Sequence, residues 1–127
     1  MIFKRTTALD TPGGDEVIFL KMEIKDQVSA VLILPKGIMV GFDPEEEEIH
    51  LHPLVMDEVA TIQLTTNLQG EWLQATLGQH IDVKPNNSFY VTADSDVIIY
   101  FPSAPQGNPD ITNKIENWDG RTQPTIQ

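Results

Sequence analysis

The sequence predicts an all-β antiparallel domain, a two-sheet sandwich of jelly-roll type, with a small barrel as the second arrangement. Two observations lead there. Short apolar runs, bounded by Pro, Gly, Asn and Asp, recur about nine times at spacings near the ~8–12 residues typical of sandwiches. No segment up to Phe101 carries the helical period that a crossover connection would need, which argues against a parallel βαβ sheet.

Residues 1–16 read as an extended N-terminal arm: an apolar start at Ile2 and Phe3, then a breaker-rich stretch from Asp10 to Asp15. The sandwich is expected over residues 17–101. Its first run, Val17 to Ile24, sets Ile18, Leu20, Met22 and Ile24 on one face, and Lys25-Asp26 turns the chain. Val28 to Leu34 is nearly all apolar, the pattern of a strand covered on both sides. Ile38 to Phe42 follows the Pro35-Lys36-Gly37 turn. Asp43 to Glu46 is a polar connection to Ile49–Met56.

Val59 to Thr66 carries the cleanest alternation, with Ala60, Ile62 and Leu64 against Thr61, Gln63 and Thr65. Asn67-Leu68-Gln69-Gly70 reads as a hairpin loop, and Leu73, Ala75 and Leu77 are expected to point inward. Ile81 and Val83, then Phe89 to Ala93, then Val97 to Phe101 complete the series. Residues 102–127 form a C-terminal tail. It opens with a Pro-rich linker, and Asp110 would cap a short helix with Ile111, Ile115 and Trp118 at helical spacing.

Composition narrows the function. Nineteen acidic residues against eight basic ones give a net charge of −11. Such a surface cannot neutralise phosphates, so nucleic acid and anionic membranes are not expected partners. The absence of cysteine excludes disulfides, thiolate metal sites and cysteine nucleophiles. The polar N-terminal stretch after Arg5 predicts a cytoplasmic protein without a secretory signal, and no run reaches the about 20 apolar residues of a membrane span.

His50-Leu51-His52 is the most chemical constellation in the chain. Residues two apart on a strand share a face, so both imidazoles could reach one ion. With Glu58 and His80 the set resembles the His-x-His, Glu and distant His of the cupins. That resemblance implies a double-sheet β fold and a small metal-binding enzyme or ligand-binding barrel using His50 and His52. Glu58 lies further from His52 than the cupin pattern prefers, and His80 precedes the Pro85-Asn86 turn rather than following it. The alternative places the histidines on the solvent face, opposite Ile49, Leu51 and Val55.

The other motifs read as ordinary structure. Asp43 and Glu45 to Glu48 lack the spaced ligands and Gly of a calcium loop and read as a solvated turn. Asp94-Ser95-Asp96 sits where a hairpin turn is needed, rather than forming a glycosidase pair. Asn86-Asn87-Ser88 matches a glycosylation acceptor by composition alone. Trp72 and Tyr90 are the aromatic residues that a carbohydrate-binding face would use.

On this reading no catalytic residue, metal ligand or cofactor is assigned. Ile2, Phe3, Ile111, Ile115, Trp118 and Ile126 are the expected contact residues of the two arms, since a buried tryptophan often anchors an interface. Small, acidic, cysteine-free β domains with arms look like the decoration or cement subunits of bacteriophage capsids. That resemblance implies a non-enzymatic assembly protein, incorporated in a virion, with homo-oligomeric or larger protein partners.

Overall fold

The computed structural model describes residues 2–10 and 16–114. It forms eleven strands: β1 (Ile2–Asp10), β2 (Glu16–Ile24), β3 (Gln27–Leu34), β4 (Ile38–Phe42), β5 (Ile49–Val55), β6 (Ile62–Thr65), β7 (Leu73–Ala75), β8 (Ile81–Val83), β9 (Phe89–Ala93), β10 (Val97–Phe101) and β11 (Asp110–Lys114). They make two antiparallel sheets, six-stranded in the order β1-β2-β3-β10-β5-β8 and five-stranded in the order β11-β4-β9-β6-β7. This is the expected two-sheet sandwich, not closed into a barrel. No helix among the described residues is long and apolar enough to cross a membrane.

The core lies between the sheets. Phe19 and Phe101 enter it from the six-stranded sheet, Phe42 and Phe89 from the other, and all four are buried. Phe42 stacks on Phe89 at 4.8 Å between ring centres and meets Phe19 and Phe101 at 5.7 and 5.6 Å. These rings tie the two layers together. The tight β2–β3 hairpin turns through Lys25 and Asp26, at φ of 49° and 65°. Two consecutive left-handed residues suit the right-handed twist of the flanking strands.

Several faces differ from the sequence expectation. In β2 the core takes Val17 and Phe19, whereas Ile18, Leu20 and Met22 turn outward and Ile24 is exposed. In β3, Ala30, Leu32 and Leu34 are buried, but Val31 is only half-buried and Ile33 is exposed, so this strand is fully covered on one side only. Leu73 pairs with core-facing Leu64, yet lies open to solvent because β7 ends its sheet. Leu77 is likewise exposed, and Ala75 alone of the three is buried.

The two segments read as arms contribute strands. Ile2 to Asp10 pairs with β2 along its length, from Ile2↔Glu23 to Asp10↔Glu16. Asp110 opens β11 instead of capping a helix, and it pairs with Gly41 of β4. The physical reason is the free edge of β4, whose backbone groups reward a strand with inter-strand hydrogen bonds that a lone helical turn could not supply. Ile111 packs against the core beside Val40. Ile115, Trp118 and Ile126 lie outside the described residues.

Candidate functional site

Strand pairing gathers the three histidines. Along β5, Ile49, Leu51 and Pro53 are buried, so the period of two turns His50 and His52 to the outer face of the six-stranded sheet. β8 does the same with buried Ile81 and Val83 and outward Asp82. The register sets His50 directly opposite Asp82 and, on the other side of β5, His52 opposite Tyr100 of β10. Cross-strand partners on one face are neighbours, so the patch follows from register alone.

Its geometry has two rows. In the first, His50 Nδ1 donates to Asp82 Oδ1 at 2.5 Å and lies 3.8 Å from Glu48 Oε1. In the second, the ring of His80 stacks on that of His52 at 5.2 Å, and His52 lies 6.5 Å from the Tyr100 ring. His80 Nε2, 3.5 Å from Asp82 Oδ2, links the rows. The hydrogen bond from His50 is the largest cause holding the Asp82 carboxyl below its ordinary pKa, and the charges of His80 and His50 act the same way. The patch is open: His50, Asp82 and Glu48 are 41, 43 and 38% exposed.

The spacing of His50 and His52 and the distant His80 mark them in the sequence, and the structure brings the three together on the solvent face. Glu58 does not join them; it is an exposed turn residue beyond the far end of β5. Glu48, which the sequence presents as part of a solvated acidic turn, and Asp82, which no motif marks, take its place as carboxylates. The alternation of Ile81-Asp82-Val83 marks Asp82 as outward-facing, but only the β5–β8 pairing reveals what it faces.

The remaining motifs are structural. Asp94 Oδ1 accepts from Thr61 N at 2.8 Å and Asp96 Oδ1 from Lys36 N at 2.9 Å, so both carboxylates tie down turns. Trp72 is buried, which removes it from any exposed carbohydrate platform. A cleft of about 580 Å³ opens between the β2–β3 turn, the acidic connection and residues 102–106, lined by Asp26, Glu45, Glu46, Glu47, Val28 and Pro105 among others. Glu45 there accepts from Gln106 N, whose own carbonyl accepts from Lys21 Nζ at 2.7 Å. None of the three histidines lines this cleft.

No protein-family model and no curated protein matches the chain by sequence. Solved structures do share its fold. A protein of unknown function from Vibrio parahaemolyticus superposes with a TM-score of 0.57 at 14% identity, over 76% of this chain and 96% of that one. A DUF1255 protein of unknown function from Acinetobacter sp. ADP1 gives 0.50 at 14% identity, over 75% and 85%. HEPD from Streptomyces albus, solved with 2-hydroxyethylphosphonate and Fe(II), gives 0.52 at 14% identity, over 81% of this chain but 25% of its own. At such identity the likeness is one of fold.

These neighbours correct the expectation of a capsid decoration or assembly protein. Two are of unknown function and the third was solved with a substrate and Fe(II) bound, which points to metal binding rather than to a shell or virion role. The physical basis of the expectation also weakens, because β1 and β11 spend backbone hydrogen bonds on the sandwich itself.

Proposed function

We propose that this chain is a small metal-binding protein of cupin-like double-sheet architecture, with the ion at the outer-face patch around His50 and His52. The observation that carries this reading is the convergence of three imidazoles and two carboxylates across β5 and β8. Imidazole nitrogen with carboxylate oxygen is a donor set suited to first-row divalent metals. The Fe(II)-bound state of one fold neighbour supports it by analogy of architecture, which sets a prior but assigns no chemistry.

The site belongs outside the sandwich. Between the sheets, the positions flanking the histidines are taken by Ile49, Leu51, Ile99 and Phe101, all buried and apolar. An ion there would have no donors. On the open face it keeps exchangeable coordination positions, so reversible binding is the activity assigned, without a catalytic step.

Metal analysis tests the reading. Protein loaded with Zn²⁺ or Fe²⁺ and desalted should retain about one ion per chain. The His50→Ala, His52→Ala double variant should retain none. A wild-type protein that emerges metal-free after loading overturns the proposal.

A further inference from the structure

The histidine patch offers more donors than one ion needs, and its two rows are not equivalent. Glu48, His50 and Asp82 each present a ligand atom, and these atoms all lie within 4.8 Å of one another. His52 stands in the other row, its ring face covered by His80 and its ring tilted at 48° to that of Tyr100. Resting on the metal-binding reading above, we infer that the ion is held by Glu48, Asp82 and Nδ1 of His50, and that His52 is not a ligand.

The distances favour this set. Donors about 2.0–2.2 Å from a shared ion stand roughly 3–3.5 Å apart. The observed 3.8 Å from His50 to Glu48 and 2.5 Å from His50 to Asp82 bracket that range. Small rotations of three half-exposed side chains, with no movement of the strands, would close one gap and open the other. The Nδ1 proton that now bridges His50 and Asp82 leaves on binding, to Nε2 or to water, and the ion takes its place between the two residues.

The set also selects the ion. One imidazole and two carboxylates suit Zn²⁺, Co²⁺, Ni²⁺ or Fe²⁺, whereas Ca²⁺ and Mg²⁺ require oxygen donors throughout. Three protein ligands on an exposed face leave the remaining positions to water or to a small chelating anion. His80, at 3.5 Å from the far oxygen of Asp82, holds that carboxylate in place from the second row.

The alternative is that Asp82 only orients His50, accepting from Nδ1–H while Nε2 takes the metal, as carboxylates behind ligating histidines commonly do. Single variants titrated with Co²⁺ separate the two, with the visible spectrum reporting coordination and circular dichroism confirming the fold. All the altered side chains lie on the outer face, so the core is untouched. Wild-type protein should bind one Co²⁺, and Ca²⁺ should not compete.

Glu48→Gln, His50→Phe and Asp82→Asn should each weaken binding beyond the about 10–100-fold that an orienting partner contributes. His52→Phe, which preserves the stack on His80, should bind as wild type. Full binding by Asp82→Asn, whose amide oxygen still accepts from Nδ1–H, overturns the ligand set, as does loss of binding in His52→Phe. Both results leave the metal-binding reading intact. A wild-type protein that binds no Co²⁺ sinks both.

Discussion

The cross-sheet aromatic group should be the most sensitive point of the fold. Phe42, 4% exposed, touches the rings of Phe89, Phe101 and Phe19 with centroids 4.8, 5.6 and 5.7 Å away. Truncation to alanine removes one ring from a site where three others converge from two sheets. Strands paired on both sides cannot collapse into the space, so the cavity persists. Phe→Ala in such a core costs about 3–5 kcal/mol, and three aromatic partners place Phe42→Ala near the upper half of that range. Domains of this size are stable by about 5–15 kcal/mol in total. A loss of about 4 kcal/mol lowers the urea midpoint by about 2–2.7 M for an m-value of about 1.5–2 kcal/mol/M. Urea unfolding followed by circular dichroism and tryptophan fluorescence measures it, with Phe42→Leu as a variant that keeps most of the volume. A midpoint drop below about 0.5 M, or equal effects of Ala and Leu, would refute the claim that these rings join the sheets.

Three further outcomes follow from named contacts. The Asp82 carboxyl should titrate below an ordinary aspartate by NMR in metal-free protein, and His50→Ala should move its midpoint back up, because the hydrogen bond from His50 is the leading cause of the depression. The sign is that of a lowered folded-state pKa: its contribution to stability is complete above the unfolded value and lost as pH falls through the folded one. Replacing the turn Lys25-Asp26, both left-handed, with Lys25→Asn and Asp26→Gly should raise stability by about 0.5–1 kcal/mol in thermal melts; a lower melting temperature would contradict the turn geometry. Asp94→Ala removes the acceptor that holds Thr61 N at 2.8 Å and should cost about 1–2 kcal/mol by urea unfolding, with no change expected if Asp94 is merely a solvated turn residue.

Local pattern and distant pairing were not equally legible in the sequence. Alternation located β2 to β10, because side chains that switch sides at each residue leave little choice of element. It could not say which face of β2 was inner. Ile18, Leu20 and Met22 are as apolar as Val17 and Phe19, and only the fit of Phe19 against Phe42 and Phe101 decides. The tail misled for a related reason. Ile111 stands at helical spacing from Ile115 and Trp118, but spacing carries no record of the open edge of β4, which recruits Asp110 to Lys114 as a strand. Edge pairing is a property of the assembled sheet, and nothing within the segment announces it.

The same distinction governs the site. His50 and His52 could be assigned to one face from their spacing, and the burial of Ile49 and Leu51 then obliges that face to be the outer one. A metal centre between the sheets was therefore already incompatible with the apolar residues that interleave the histidines. What pairing adds is the partner: β8 runs antiparallel to β5 in a register that sets Asp82 against His50, and a shift of one residue would have turned Asp82 into the core and Ile81 or Val83 onto the patch. Since such a shift would bury an unpaired carboxylate among Ile49, Leu51 and Ile99, the hydrophobic core itself enforces the register that builds the site. The donor set on the outer surface is thus held by packing on the inner one, and substitutions at Ile81 or Val83 should weaken the proposed Co²⁺ binding, read by the same titration, without altering a proposed ligand.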